Sequence, residues 1–292
     1  MQARPYLILA LGILAASSSS FLVVFARAEG IPAVAIAAIR LALAALVLAP
    51  FALIRTRGEW QHIAPRDLVL ACVSGVFLAF HFAFWISSLD YTSVMSSIVF
   101  VSTNPLFVGL ASVLFLRESL QRGTVAGIAV ALIGGALVCI SDWGQAGAET
   151  LQGNLLALAG AATVSGYLLI GRRLRARLSL IAYIGLVYTM AAIVLLLMAC
   201  MMGANLFGYS LTAYALVALL AAGPQLIGHS SYNWALKYLS ATFITVTLLA
   251  EPIGATLLAI PLLAQVPSPI KLFGGALILI GIYLAAREET QR

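Results

Sequence analysis

Four ionisable side chains lie inside the long apolar stretches of this chain: Arg40, His81, His229 and Glu251. Each is costly to place in hydrocarbon, so each is expected to face other helices, a partner group or a water-filled cavity. Glu251 directly precedes Pro252, whose missing N–H leaves the carbonyl of Leu248 without its helical donor. This pair predicts a polar notch that binds a substrate ammonium group or carries a proton. An interhelical hydrogen bond, or an ion pair with Arg40, is the alternative interpretation.

Both histidines lie among aromatic or amide side chains at helical spacing. Trp85 follows His81 by four residues, and Gln225 and Asn233 flank His229 at the same spacing on its two sides. Residues four apart share one face of a helix. These faces predict a cavity lining, because a polar stripe is excluded from a lipid-facing surface. A histidine satisfied within the core is the alternative.

Small residues recur in several apolar stretches. Residues 17–20 and 165–167 either line a pore or let helices approach closely, and close packing is the favoured interpretation. A glycine stripe is formed by Gly123, Gly127 and Gly134 and is echoed by Gly274 and Gly281. This stripe predicts a helix-packing face or a dimer face.

The motifs of several enzyme classes are absent from the sequence. It contains no Gly-x-x-x-x-Gly-Lys-Ser/Thr phosphate loop, no His-Glu-x-x-His metal motif and no Gly-x-Ser-x-Gly nucleophile motif. The cysteines, Cys72, Cys139 and Cys200, lie in apolar stretches without metal-ligand spacing and are expected to be core side chains. We therefore predict no catalytic residue, no cofactor and no metal site; the chain is not expected to be an enzyme.

The composition indicates an integral membrane protein. Hydrophobic residues make up 63% of the chain and charged residues 9%, and the mean hydropathy is +1.07, whereas soluble proteins have roughly 25% charged residues. Apolar runs of about 20 residues are long enough to cross a bilayer as helices. The predicted fold class is therefore all-α, with ten transmembrane helices at 5–27, 32–54, 67–89, 93–116, 122–141, 151–171, 179–202, 212–236, 240–264 and 269–287.

The two halves of the chain are related by a shift of 147 residues. Leu89 to Pro105 returns without a gap as Leu236 to Pro252, and the matches include a leucine, a tyrosine, a serine and the final proline. Asn104 occupies in the first copy the place that Glu251 occupies in the second. The sequence thus predicts a duplicated unit of five helices, with one repeat at 1–146 and the other at 147–292.

The basic residues predict an orientation. With the N-terminus inside, every basic residue except Arg27, Arg40 and Lys271 falls on the cytoplasmic side, and both termini are cytoplasmic. The net charge of +6 is thus a positive-inside signal, and no nucleic-acid partner is predicted. Asp90, in an outer loop, aligns with Lys237 in an inner one. Five helices per repeat and this charge reversal predict inverted-topology repeats, which are common in secondary transporters.

These features together resemble the EamA family of the drug/metabolite transporter superfamily. The resemblance rests on ten spans in two halves, short loops, the Leu-x-Tyr-x-Ser…Pro segment in both halves and the Arg-Glu-Ser after the fourth span. Within the family the chain is similar to YddG-type bacterial amino acid exporters. It departs from internal symmetry where Glu118 becomes Gln265. The resemblance implies an exporter in the bacterial inner membrane that works by alternating access around a central cavity.

The resulting hypothesis is export of a small zwitterionic metabolite, with membrane lipid around the protein. The candidate cavity residues are His81, Trp85, Phe100, Asn104, Gln225, His229, Tyr232, Asn233, Trp234 and Glu251, with Pro105 and Pro252 as hinges. Glu251 and the histidines are the candidate proton carriers, although uniport is equally open. Export of drugs, nucleosides or nucleotide-linked metabolites is the alternative, and a membrane enzyme acting on lipids or a non-transporting subunit are remote ones. Whether the protein is a monomer or a homodimer stays open.

Overall fold

The fold is helical throughout the part of the chain that the structure describes. The computed structural model describes residues 4–92, 94–116, 121–140, 148–263 and 268–289, and the regular elements within them are all helices. The first half contains α1 (Arg4–Ser17), α2 (Ser19–Ala28), α3 (Ala33–Arg55), α4 (Arg57–Gln61), α5 (Pro65–Ser88), α6 (Val94–Val101), α7 (Asn104–Leu116) and α8 (Arg122–Ile140). Ser93, Arg117, Glu118 and Gln265, which the sequence arguments used, lie outside the described residues.

The second half also combines long helices with interrupted ones. It contains α9 (Ala148–Arg175), α10 (Leu180–Met201), α11 (Leu211–Leu220), a π-helical segment (Ala221–His229), α12 (Ser230–Ala235), α13 (Ala241–Leu248), α14 (Glu251–Leu263) and α15 (Pro269–Glu289). Together with the first half, these helices show that the predicted all-α class is correct.

Six helical segments of the described chain are long and apolar enough to cross a membrane. They are Arg4–Ala28, Ala33–Arg55, Pro65–Ser88, Thr150–Arg175, Leu180–Met201 and Leu211–Ala235, and Arg122–Leu137, Ala241–Ala255 and Leu272–Leu284 are shorter apolar helices. Large apolar side chains such as Leu46, Ile54, Leu114 and Leu197 are exposed on the outer surface, where lipid would cover them. The protein is therefore a multi-pass membrane protein, while the count of ten spans stays a prediction.

Two of the predicted spans are interrupted just before their prolines. α6 ends at Val101 and α7 begins at Asn104, while α13 ends at Leu248 and α14 begins at Glu251. Between α13 and α14 the backbone forms hydrogen bonds of the 3₁₀ type, in which the N–H of Leu249 and that of Ala250 donate to the carbonyls of residues 246 and 247, three positions earlier. Proline is tolerated in the first turn of a helix because its N–H would have no intrahelical partner there. Each proline thus marks a new helix start, which is a larger break than the predicted notch within one helix.

Two other predicted spans depart from regular α-helix. Ser17 and Ser18 donate their hydroxyls back to the carbonyls of Ile13 and Ala15, at 2.9 and 2.8 Å, and α1 ends there. Such back-bonding bends helices. Pro224 lies within the π-helical segment of the eighth predicted span, and inserted turns of this kind are frequent at functional sites.

The helices pack in pairs that correspond under the 147-residue shift. α5 packs against α9, and the shifted elements, α11 to α12 with the π-helical segment, pack against α1 and α2. α3 packs against its own equivalent α10, and α8 against its own equivalent α15. The core of buried side chains lies mainly between α1, α3, α5, α9, α10 and the eighth predicted span.

Glycines set the close approach of α8 and α15. A Cβ atom on Gly134 would lie 2.5 Å from the carbonyl oxygen of Gly274, and one on Gly281 would lie 2.5 Å from that of Gly127. The earlier glycine of α8, Gly127, meets the later glycine of α15, and the later one, Gly134, meets the earlier one. The two helices are therefore antiparallel. The glycine stripe is thus a packing face within the chain.

The ion pairs of the described residues join chain segments that the predicted topology puts on one side. Arg27 pairs with Asp90 at 2.6 Å and Arg177 with Asp67 at 3.2 Å. The first pair links two predicted outer loops, and the second links two predicted inner ends.

Candidate functional site

A cavity lies at the centre of the described chain, where the interrupted helices meet the long ones. Its volume is about 60 Å³, which holds several water molecules. The wall combines apolar, aromatic, hydroxyl and charged side chains. It is lined by Ala16, Ser17, Ser19, Ser20, Arg40, His81, Phe82, Trp85, Ile98, Val101, Ser102, Asn104, Val164, Tyr167, Leu168, Pro224, His229, Tyr232, Leu248, Glu251 and Ala255.

Glu251 lies in the cavity wall at the first residue of α14. Its Oε1 accepts a hydrogen bond of 2.8 Å from the hydroxyl of Tyr232. The N-terminus of a helix carries partial positive charge, which favours a carboxylate at this position. The break before α14 therefore places an acidic group beside the cavity and gives it one donor from the eighth predicted span.

Arg40 reaches the same cavity from α3 and is only 1% exposed. Its Nε donates to Oε1 of Gln225 and its Nη1 to Oγ of Ser19, both at 3.1 Å. The guanidinium also lies over the ring of Phe82, 4.2 Å from the centroid, a favourable cation–π arrangement. An Arg40–Glu251 ion pair is not among the ion pairs of the described residues.

The two histidines lie side by side in the cavity wall. Their ring centroids are 6.1 Å apart, and the His81 ring lies parallel to that of Trp85 at 6.2 Å. Nδ1 of His81 donates to the carbonyl of Gly160 at 3.0 Å. This bond leaves Nε2 of the neutral ring as an acceptor. The structure thus brings His81 and His229 together although they are one residue out of register in the repeat.

Three buried polar atoms of the wall have no protein partner within the described chain. They are Nε1 of Trp85, Oδ1 of Asn104 and Nδ1 of His229, and all three residues are more than nine-tenths buried. A buried donor or acceptor without a partner is rare and costly in a folded protein. Such atoms in a cavity wall are typical of a site that binds a polar ligand.

The structure places four of the predicted cavity residues outside the lining. Gln225 lies behind Arg40 and bonds to it, and Asn233 donates its amide to the hydroxyl of Tyr167 and, at 2.8 Å, to the carbonyl of His229. Trp234 packs against Tyr238, with ring centroids 4.6 Å apart, and below the guanidinium of Arg4. Phe100 is half-buried, and its carbonyl accepts from Thr103.

The π-helical segment explains part of this difference. An α-helix would align Gln225, His229 and Asn233 on one face, but an i→i+5 segment has more residues per turn. Pro224 and His229, five residues apart, line the cavity instead. The other six predicted residues, His81, Trp85, Asn104, His229, Tyr232 and Glu251, lie in the cavity wall, and Pro105 and Pro252 are buried beside it.

Several wall residues were not assigned to the site from the sequence. Ser17, Ser19, Ser20 and Tyr167 belong to stretches for which close packing was favoured. Arg40 was expected to face other helices, a partner group or a cavity, but it was not among the predicted cavity residues. The signal that identifies Arg40 is its rarity, because a cation in the middle of an apolar helix requires a functional or structural partner. The described residues contain no cluster of three or more His, Cys, Asp or Glu side chains suited to a metal ion.

Known proteins that this chain resembles in sequence are named as transporters or exporters. The profile of the EamA-like transporter family matches residues 5–140 and again residues 151–287. A probable terminal-alkyne amino-acid exporter of Streptantibioticus cattleyicolor is 32% identical over 199 residues, which are 66% of this chain and 64% of that protein. An uncharacterized transporter of Archaeoglobus fulgidus is 26% identical over 258 residues, 88% of this chain and 89% of that one.

A crystal structure of another protein shares the fold. It has a TM-score of 0.77 at 22% identity, and the alignment covers 100% of this chain and 99% of that one. The similarity therefore extends over the whole helical arrangement, including the helices that surround the cavity.

Proposed function

Because the chain belongs to the EamA-like transporter family, we propose that it exports amino acids or related small metabolites across the bacterial inner membrane. Membership of this family indicates a transporter rather than an enzyme. The observation that favours a zwitterionic substrate is the cavity wall, which contains both a guanidinium and a carboxylate. The small volume, about 60 Å³, favours a metabolite over a drug-sized molecule, whose pockets measure roughly 300–1,000 Å³. The Streptantibioticus relative, named as a probable amino-acid exporter, supports the same class.

The proposed architecture is ten spans in two inverted repeats, with both termini in the cytoplasm. It is supported by the two separate family matches and by the reciprocal contacts of α8 and α15, in which each helix presents equivalent glycines to the other. A contact of residue i with j that is repeated as j with i is typical of a two-fold axis. Labelling of single cysteines in the loops from either side tests the orientation.

The proposed mechanism is alternating access at the central cavity. Trp85, His81 and the ring of Tyr232 contact the apolar part of the substrate, while Asn104, His229 and Glu251 contact its polar groups. Pro105 and Pro252 allow α6–α7 and α13–α14 to rock as the cavity opens to one side and then to the other. Movement down a gradient or exchange for protons supplies the motive force, with Glu251 and the histidines as the proton carriers.

The decisive measurement is transport of labelled amino acids into proteoliposomes that contain the purified chain. We expect wild-type flux for at least one amino acid. Glu251→Gln and His229→Ala should reduce that flux by about tenfold or more, because the first removes the carboxylate charge of the wall and the second removes a buried imidazole. Gln152→Ala, at an exposed position in α9 and outside the cavity lining, serves as the control substitution.

Two results would contradict the proposal. Unchanged flux in both cavity variants would show that the site is wrong. Absence of amino acid flux, together with thermal stabilisation by a nucleoside or a drug, would favour the alternative substrates named above.

A further inference from the structure

Arg40 places a cation in the cavity wall at a depth where charge is costly. Two of the five N–H donors of the guanidinium form hydrogen bonds within the described chain, to Gln225 and to Ser19. Neither of these partners is charged, and Arg40 takes part in neither ion pair of the described residues. A buried cation without a carboxylate partner is unfavourable. An anionic group that enters the cavity would supply that partner.

Glu251 is connected to Arg40 through contacts with a group of aromatic rings. Its Oε1 is held by Tyr232 at 2.8 Å, and the Tyr232 ring lies 5.4 Å from that of His229. The His229 ring lies 5.1 Å from Phe82, which in turn lies under the Arg40 guanidinium at 4.2 Å. The two opposite charges therefore lie against one group of rings in the wall of the same cavity, and they do not form a direct ion pair.

We infer that Arg40 binds the carboxylate of the substrate and that Glu251 binds its ammonium group, so that the cavity takes an α-amino acid in one orientation. This inference rests on the proposed function and adds the polarity of the bound substrate. The planar guanidinium forms a two-pronged donor that matches a carboxylate, and three of its N–H groups are available for it. Each charge thereby gains a direct ionic partner, which neither has among the ion pairs of the described residues.

The surrounding polar atoms fit the same orientation. Nε1 of Trp85 is a buried donor without a protein partner, and Oδ1 of Asn104 is a buried acceptor without one. The first suits a carboxylate oxygen and the second an ammonium hydrogen. A phosphate ester is a poorer occupant, because its second negative charge would lie in the same small cavity as Glu251.

The test compares each of the twenty protein amino acids with its carboxamide, which keeps the ammonium group and lacks the negative charge. Each pair competes for uptake of the labelled amino acid into proteoliposomes that contain wild-type protein or Arg40→Gln. We expect the wild type to prefer the amino acid over its amide by about tenfold or more, the worth of a charge-assisted hydrogen bond. Arg40→Gln should lose this preference, and Arg40→Lys should keep part of it.

The control is Arg66→Gln, the same substitution at an exposed arginine near the start of α5. It should leave the preference unchanged. Glu251→Gln gives the complementary result: it should weaken binding of the amino acid but not of its deaminated acid. If Arg40→Gln fails to fold, the test uses the wild type and Arg40→Lys. A preference of the wild type for the amino acid over its amide that is reduced in Arg40→Lys would support the carboxylate site, and an equal preference in both would contradict it.

The outcomes separate this inference from the proposed function. If amino acids move but the amides compete equally well, or if Arg40→Gln weakens both ligands by the same factor, Arg40 is structural and the inference is wrong while transport stands. If no amino acid moves, the proposed function fails. In that case thermal unfolding with propionate, a bare carboxylate, tests the carboxylate site by itself. Stabilisation of the wild type but not of Arg40→Gln would support the site, and equal or absent stabilisation would contradict it.

Discussion

The Tyr232–Glu251 hydrogen bond is the residue-scale contact on which the acidic end of the cavity depends. The hydroxyl donates to Oε1 at 2.8 Å, and the tyrosine is only 2% exposed. No other hydrogen bond to the Glu251 side chain is found in the described part of the protein. The tyrosine thus sets the direction of the carboxylate as well as supplying a donor.

Tyr232→Phe should therefore impair transport while leaving the fold intact. Loss of the hydroxyl removes a donor from a partly buried acceptor, which costs roughly 1–3 kcal/mol and corresponds to about a fivefold or greater loss of apparent affinity. Uptake kinetics in proteoliposomes measure this loss. Tyr238→Phe, at a tyrosine that is 48% exposed, is the matched control. Equal kinetics in the two variants would contradict the role given to Tyr232.

Single residues were predictable from the sequence where their rarity in apolar helices made them conspicuous. Glu251 and the two histidines were identified in this way, and Asn104 was identified by its equivalence to Glu251 under the 147-residue shift. The structure places all four around one cavity. The positions of Gln225 and Asn233 were not predictable, because the π-helical segment changes the helical period that the prediction assumed. Contacts between distant elements, such as that of Arg40 with Ser19, depend on packing that periodicity does not contain.

At the scale of elements, the interrupted helices α6–α7 and α13–α14 bring polar groups to the cavity. Each second helix starts one residue before a proline, at Asn104 or at Glu251. The sequence predicted both prolines as special points because they recur at equivalent places in the two repeats. It did not predict a full interruption, because the extent of unwinding depends on which neighbours satisfy the backbone.

Pro252→Ala tests whether the break between α13 and α14 serves transport. Alanine supplies the N–H that proline lacks and favours a continuous helix. We expect a melting temperature that is unchanged or higher and a transport rate that falls by about tenfold, equivalent to about 1.4 kcal/mol on the barrier. Thermal unfolding and initial uptake rates measure the two effects.

Pro269→Ala is the control for this experiment, because Pro269 stands at the first residue of α15, where it interrupts no helix. An unchanged rate in Pro252→Ala would exclude a hinge at that position. A fall in both rate and melting temperature would indicate a structural role.

At the scale of the whole molecule, packing repeats itself under the shift that relates the two halves. The pairing of α5 with α9 has its equivalent in the pairing of the eighth predicted span with α1 and α2. The antiparallel contact of α8 with α15 corresponds to itself, with Gly134 against Gly274 and Gly281 against Gly127. The 147-residue shift between the two halves is visible in the sequence, whereas these pairings required the structure.

Gly134→Ala and Gly281→Ala should destabilise the protein by similar amounts. In each variant the new Cβ would lie 2.5 Å from a backbone carbonyl of the facing helix, and such overpacking costs about 1–3 kcal/mol. Thermal unfolding in detergent measures the loss. Gly58→Ala, with no atom within 4 Å of the added Cβ, should be neutral or slightly stabilising. Strongly unequal losses at Gly134 and Gly281 would argue against the proposed two-fold relation.

The glycine contact of α8 and α15 has a consequence for motion. In an inverted repeat, the change from inward-facing to outward-facing exchanges the conformations of the two halves. A contact that corresponds to itself under that exchange has the same geometry at the start and at the end of the cycle. α8 and α15 would then form the stationary frame of the protein, against which the helices around the cavity turn.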